Sequence, residues 1–347
     1  MKTKANYLCI VILLFGVFSL SRAQQRPYYT QYVLNPFISN PALAGIENYW
    51  DVKVSYRNQW TGISGAPNTF YATAHGPFKI ISHGAETTST VHSSKKRNPL
   101  VDAHRQQYKS VSPHGGLGFS VLSDRAGPIN MYSFNAVYAY HVSLSSKASL
   151  SAGLALGAQG INVRTDQLNF GTTNPNDPAV TSTDQVSKIK PDMSMGLWLY
   201  SAFYFVGISA QNIVPSKVNY SQNNTTTTQG LLVPHASFIA GYKFFLNDKI
   251  NFLPSAMIRF VQNTPFNFDV NAKFQYRDIA WAGLSYRHSQ NFAAMIGMNI
   301  NSKYNFGYSY DMITSNIKNV SGGTHEVVIG ILIGNHNRVV LSPRNFW

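Results

Sequence analysis

An active site in this chain would have to be built from 14 acidic residues and 10 histidines. The acids are scattered, with no Asp-x-Glu pair. Gly118-Phe119-Ser120, Gly207-Ile208-Ser209 and Gly283-Leu284-Ser285 each lack the second glycine of a nucleophile elbow. No Gly-rich phosphate loop and no His-Glu-x-x-His occurs. His83, His92 and His104 are too widely spaced for a zinc pattern, and the single cysteine, Cys9, cannot help them. The expectation is a chain that is not an enzyme and takes no cofactor or metal; a hydrolase site assembled from separate strands is the enzymatic alternative.

Recognition chemistry is better represented. Tyr56-Arg57-Asn58-Gln59-Trp60 is followed by Gly65-Ala66-Pro67. A planar guanidinium beside amide and indole donors can hold a hairpin in one shape. Upstream, Gln31-Tyr32, Asn35-Pro36 and Asn40-Pro41-Ala42-Leu43-Ala44-Gly45 contain two Asn-Pro steps. Proline drives the residue before it out of the helical region, so each step favours a turn. The expected result is a turn-rich arm over 24–47 that folds into or under the rest of the chain as a small plug. An extended lead-in is the alternative.

The elements that must carry these residues are strands. In Phe266-Asn267-Phe268-Asp269-Val270-Asn271-Ala272-Lys273-Phe274-Gln275 every even position is apolar and every odd one polar, which puts the two sets on opposite faces of a strand. Segments of this kind occupy 49–57, 68–76, 115–123, 130–142, 148–161, 192–200, 203–211, 234–245, 250–261, 265–275, 279–287, 291–300, 304–312 and 323–333. Their number is even, and their lengths cluster near the roughly 9–11 residues that a tilted strand needs to cross a bilayer. Short links (143–147, 201–202, 246–249, 276–278, 301–303) alternate with links that include the long 162–191 and 212–233. Transmembrane barrels have short periplasmic turns and longer outer loops. The expected fold is an all-β transmembrane antiparallel β-barrel of about 14 strands over 48–333, with both ends periplasmic and a tail at 334–347. Tyr132, Tyr138, Tyr140, Tyr200, Tyr242, Tyr286 and Tyr310 are expected in interfacial girdles. A secreted β-sandwich or propeller is the soluble alternative; scarce charge and an apolar face with no partner sheet weigh against it.

Composition agrees. Only 12% of the 347 residues are charged, about half the usual ~25%, while the hydrophobic share is an ordinary 44%. The one long apolar run, Leu8 to Leu20, follows Lys2 and Lys4 and precedes Ser21-Arg22-Ala23, the pattern of a signal peptide over 1–23. A membrane anchor is the alternative, for which the run is short. Cleavage after Ala23 would remove Lys2, Lys4 and Arg22 and no acid, lowering the net charge from +14 to +11. Cys9 would leave too, so the exported chain is expected to be held by packing rather than by disulfides. The remaining positive charge suits anionic lipid or an acidic partner; nucleic acid is not expected.

One link breaks the rhythm. The segment 77–114 is long although it lies on the expected periplasmic side. Between Lys79 and Pro113 it carries Lys79, Lys95, Lys96, Arg97, Arg105 and Lys109 against Glu86 and Asp102, a net +4. It reads as a solvated or partly disordered insertion, as a basic surface for a periplasmic partner, whose binding would weaken with salt, or as a flap into the lumen.

Taken together, the Asn-Pro arm, the Tyr56–Trp60 motif, Gly65-Ala66-Pro67 and the ending Ser342-Pro343-Arg344…Phe346-Trp347 resemble the PorP/SprF family of outer-membrane components associated with type IX secretion and gliding in Bacteroidetes. The motifs cover the first part of the mature chain and its last six residues. The resemblance implies a non-enzymatic barrel in outer-membrane lipid. Its partners would be a secretion component, a cargo protein with a C-terminal sorting domain, or a periplasmic peptidoglycan-binding lipoprotein. It marks Gln31, Tyr32, Asn35, Pro36, Asn40, Pro41, Gly45, Tyr56, Arg57, Asn58, Gln59, Trp60, Pro343, Arg344, Phe346 and Trp347 as family-motif positions. Trp347, beyond the last strand, is either an assembly signal or a docking element. A passive or substrate-selective outer-membrane channel is the alternative function, with Asn267, Asp269, Asn271 and Lys273, and Arg259 and Arg287, lining a polar lumen.

Overall fold

A computed structural model describes residues 29–78, 110–164, 186–214, 216–218, 230–247, 250–261, 264, 267–276, 279–288, 291–300, 303–314 and 316–335. The proposed signal peptide, the basic positions Lys95, Lys96, Arg97, Arg105 and Lys109, and the tail positions Pro343, Arg344, Phe346 and Trp347 lie outside the described residues.

Fourteen strands close into one antiparallel barrel. In chain order they are β1 (Trp50–Asn58), β2 (Asn68–Pro77), β3 (His114–Ala126), β4 (Ile129–Ser145), β5 (Ala148–Val163), β6 (Val186–Tyr200), β7 (Tyr204–Gln211), β10 (His235–Tyr242), β12 (Ile250–Val261), β13 (Asn267–Tyr276), β14 (Ala280–Arg287), β15 (Asn291–Asn299), β16 (Tyr304–Ile313) and β17 (Thr324–Ile333). Each pairs with its sequence neighbours. The pairing of β1 with β17 closes the ring, so no edge is left unpaired for lipid to face. Ser216–Val218 (β8) and Gly230–Leu232 (β9) form a small separate hairpin, and Phe244–Phe245 (β11) continues the line of β10 along β12. Among the described residues no helix is long and apolar enough to cross a membrane.

Alternation explains the closure. On β4 the odd residues Asn135, Val137, Ala139 and His141 are buried, while Phe134, Tyr138 and Tyr140 are exposed on the outer face. On β6 Ser194, Gly196, Trp198 and Tyr200 turn inward and Met195 and Leu197 outward. The long apolar side chains point away from the lumen, as they must if lipid is the outer solvent.

Three details differ from the sequence reading. β6 begins at Val186, earlier than 192; Ile189 and Pro191 are exposed and Asp192 is buried, so the alternation already holds where the charge of Lys190 hides the pattern. The expected strand 234–245 is interrupted at Lys243, whose side chain is buried. Tyr200 does not join a girdle: it is fully buried, and its hydroxyl lies 3.0 Å from His141 Nδ1 inside the barrel. Its place at a strand end was correctly read, but its face is set by the parity of β6. Tyr132, Tyr138, Tyr140, Tyr242 and Tyr286 are exposed on the outer face.

The largest buried cluster lies inside the barrel and is built around the arm. Tyr32, Val33, Phe37, Ala42, Leu43, Ala44 and Ile46 pack against Val137, Ala155, Trp198, Phe205, Ile239, Leu253 and Met257 from the wall. A barrel of this strand number encloses space that its own side chains do not fill; here the chain's N-terminal segment fills it.

Candidate functional site

The arm is three 3-10 turns: Thr30–Val33 (η1), Pro36–Ile38 (η2) and Pro41–Leu43 (η3). Pro36 and Pro41 each open a turn, where the missing N–H costs nothing and the fixed φ suits the start. Asn40 caps η3, its side-chain oxygen accepting from the Ala42 N–H at 2.9 Å. Such short turns leave most backbone groups unpaired, and a buried unpaired group is costly. The wall supplies the partners.

Along β3–β7 the partners are small, uncharged side chains. Gln211 Nε2 donates to the Ile38 and Ser39 carbonyls at 3.0 and 3.1 Å. Ser209 Oγ donates to Ser39 at 2.7 Å and Ser151 Oγ to Ala42 at 2.7 Å. His141 Nε2 lies 2.8 Å from the Ala44 carbonyl, and His114 Nε2 3.0 Å from that of Gly45. The two imidazoles stack with centroids 4.6 Å apart. In return Asn40 Nδ2 donates to the carbonyls of Leu197 and Ile208, both at 3.1 Å. The wall is shaped as well as polar. A Cβ on Gly116 would overlap the Ala44 carbonyl, one on Gly153 the Ala42 backbone, and one on Gly196 the Asn40 side chain. Gly45 needs glycine twice over: its φ is +75°, and a Cβ there would overlap Gly116.

On the other side the partners are charged. Arg57 Nη1 donates to Thr30 Oγ1 at 2.8 Å and to Glu326 at 2.9 Å, and Nη2 donates to Asp311 at 2.7 Å. Thr30 Oγ1 donates to Asp311 at 2.7 Å, and its N–H to Glu326 at 2.9 Å. Next to this, Arg259 and Arg287 share Asp269, at 2.7 and 3.1 Å. Arg287 also donates to the Tyr29 carbonyl at 3.4 Å, and Arg259 sits over the Tyr32 ring at 5.3 Å. Three guanidinia thus face three carboxylates around the start of the arm. Burial, and after it the Asp269 charge, push the Tyr32 phenol above its ordinary value, and Asn271 donates to its oxygen. Asn35 Nδ2 donates to Thr73 at 2.9 Å.

The fold therefore gathers Gln31, Tyr32, Asn35, Pro36, Asn40, Pro41, Gly45 and Arg57 inside the barrel. Tyr56 faces outward, its hydroxyl 3.3 Å from Asn68. Asn58 ends β1, and Gln59 and Trp60 enter the 59–67 hairpin, where Trp60 takes a left-handed φ of 55° and donates its N–H to Thr324 Oγ1 at 3.2 Å. That hairpin is sewn to the 314–323 loop by Thr61 N–H to Gly323 at 2.8 Å and Gly322 N–H to Thr61 at 2.7 Å. Arg57 does not hold the hairpin, as its sequence neighbours suggested; strand parity turns it inward, to the arm. Asp311, Glu326, His141 and the wall glycines went unnoticed in the sequence. Inward parity on their strands was a signal for each, but nothing in one strand says which arm residue it meets.

A closed antiparallel barrel with an apolar outer face and a polar inner face is an outer-membrane protein by class. The chain matches the family described as Type IX secretion system membrane protein PorP/SprF over residues 21–331, and it belongs to that family. No curated protein matches it. Among solved structures it is similar in fold to the Ralstonia pickettii toluene transporter TbuX, at 9% identity and TM-score 0.47, covering 86% of this chain and 93% of that one. It is likewise similar to a Pseudomonas aeruginosa FadL homologue, at 11% identity and TM-score 0.45, covering 88% and 94%. The translocator domain of autotransporter NalP from Neisseria meningitidis gives 8% identity and TM-score 0.33, covering 87% and 92%.

Proposed function

We propose that this barrel is a non-enzymatic accessory of type IX secretion or gliding that works by binding a partner rather than by conducting solutes. The partner is a cargo sorting domain, a translocon component or a periplasmic protein such as a peptidoglycan-binding lipoprotein. With both barrel ends periplasmic, the arm begins near the outer end of the lumen and leaves at the periplasmic end, where Gly45 leads to β1. The observation that carries the reading is the filled lumen. Two cavities that the arm helps to line measure about 50 and 30 Å3, room for a few waters and not for a solute path.

Native purification in mild detergent tests it. A secretion component or a large exported substrate should co-purify, and deletion of the gene should impair that substrate's secretion or surface attachment. Recovery of the barrel alone, with secretion intact in the deletion strain, overturns the reading. The channel alternative rests on the inward polar row Asn267, Asp269, Asn271 and Lys273, and it requires the arm to leave. Stable ohmic conductance of the full-length protein in planar bilayers would favour it. Loss of a periplasmic partner on deleting 79–113 would assign that segment the docking role.

A further inference from the structure

Where the arm leaves the lumen to become β1, two imidazoles close over its backbone. His114 opens β3, His141 lies on β4, and the register sets them opposite each other. Their rings stack with centroids 4.6 Å apart and planes 3° from parallel. Each of the four ring nitrogens has an oxygen neighbour. His114 Nε2 lies 3.0 Å from the Gly45 carbonyl and Nδ1 2.8 Å from the Ser112 carbonyl. His141 Nε2 lies 2.8 Å from the Ala44 carbonyl and Nδ1 3.0 Å from the Tyr200 hydroxyl.

The two sets differ in chemistry. A hydroxyl can donate, so a neutral His141 is satisfied: its Nε2–H donates to Ala44 and its Nδ1 accepts from Tyr200. A carbonyl only accepts, and His114 faces two of them. A neutral imidazole has one N–H, so its bare nitrogen would meet a carbonyl lone pair. Both His114 contacts are hydrogen bonds only when both nitrogens carry protons, and charged donors make the stronger bonds. The carbonyls themselves are held in place. Ser112 follows Val111, whose N–H donates to Ser149 Oγ at 3.1 Å, and Ser110 N–H donates to the Ser146 carbonyl at 3.0 Å. Gly45 is fixed by its left-handed φ and by Gly116 packed against it. A second charge on the pair would be opposed, because two imidazolium rings at this separation repel.

The surrounding elements supply other titratable or charged groups. Glu47 is buried two residues past Gly45, Tyr200 comes from β6, and Lys147 is exposed between β4 and β5. β5 meets His141 with Ser151. On β1, Asp51 and Lys53 bind each other at 2.7 Å, and on β2 His75 lies against the Phe37 ring with centroids 4.4 Å apart. We propose that the stacked pair clasps the arm's exit while holding a single extra proton: His114 is an imidazolium bonded to Gly45 and Ser112, and His141 is neutral. Loss of that proton removes one of the two His114 bonds, so the clasp loosens as pH rises. A histidine in the unfolded chain gives up its proton near pH ~6.5, so a proton retained in the fold makes stability fall above that pH. The clasp is independent of the secretion role.

Nitrogen-15 NMR of the full-length barrel, labelled at histidine and held in detergent, tests this, because ring-nitrogen shifts report which nitrogens carry protons. At pH 7.5 a solvated histidine is about nine-tenths neutral. The histidine missing from the His114→Gln spectrum should nonetheless carry protons on both nitrogens, and the one missing from the His141→Gln spectrum on Nε2 alone. Urea midpoints read the linkage. Between about pH 7 and 8 the unfolding constant of the wild type should rise more steeply than that of His114→Gln, by up to about tenfold per pH unit; the glutamine still offers one donor but does not titrate. His141→Gln should keep the wild-type slope. A neutral His114 at pH 7.5, or equal slopes for the wild type and His114→Gln, overturns the proposal. Should His114→Gln fail to fold, the other spectra decide: absence of a doubly protonated histidine from the wild type, or its loss in His141→Gln, overturns the clasp.

Discussion

Two halves of the same lumen hold the arm in different ways. The β3–β7 half reads shape and backbone: Ser151, Ser209, Gln211 and His141 donate to arm carbonyls, and Gly116, Gly153 and Gly196 let the arm backbone approach the wall. The half that runs through β1 and β12–β17 reads charge: Arg57, Asp311 and Glu326 converge on Thr30, and Arg259, Arg287 and Asp269 surround Tyr29 and Tyr32. The first half grips residues 38–45, next to the point where the arm becomes β1. The second grips residues 29–32, the far end. Neutral hydrogen bonds and close fit read the arm's backbone and, among its side chains, Asn40, and they are intolerant of added bulk in the wall. An ion network tolerates small shifts but fails when one charge is removed, because the charges left behind are buried without partners.

The comparison breaks most sharply on the glycine side. Gly153→Leu would drive a side chain into the Ala42 backbone; displacement of η3 or failure to fold is expected, a loss of about 3 kcal/mol or more. Heat-modifiability of the purified barrel on gels reads it: a variant as heat-resistant as the wild type would mean that the arm does not need this approach. Of similar size is Arg57→Ala, which leaves Asp311 and Glu326 facing each other. A cost of about 3–5 kcal/mol is expected, read as a lower urea midpoint in detergent. Arg57→Lys should rescue only part of it, since an ammonium cannot match the guanidinium fork.

Removing the arm separates filling from folding. A chain lacking residues 24–43 that still inserts should conduct ions where the full-length protein does not, in single-channel recording. A silent truncated barrel would mean that the wall closes by itself. Asn40→Ala should cost about 1–2 kcal/mol, because it removes the cap on η3 and frees the Leu197 and Ile208 carbonyls. The smallest effect is expected from Tyr200→Phe, about 1 kcal/mol for one buried hydroxyl bond to His141. Tyr138→Phe, on the outer face, should change stability by less than about 0.5 kcal/mol.

Much of the architecture was legible from alternation. The strand count, the antiparallel order and the inward positions of Asp269, Lys273, Arg259 and Arg287 follow from a period of two, since a one-residue error would turn a whole strand inside out. The arm was legible as turns, because Asn35-Pro36 and Asn40-Pro41 constrain the backbone locally. The site was legible only as a set of residue types. Arg57 was visible as a residue able to grip several partners, yet its neighbours in sequence, Asn58 and Trp60, are not the groups it touches.

Local periodicity is a property of a few consecutive residues, so sequence alone determined which segments are strands, which faces are apolar, and that the chain belongs in a membrane as a barrel. Contacts across the lumen join residues as far apart as Thr30 and Glu326. They depend on closure, on strand stagger and on the path of a segment with no regular period. Only the tertiary structure decided that the arm runs inside the barrel, that the wall glycines face its backbone, and that three guanidinia and three carboxylates meet at its start.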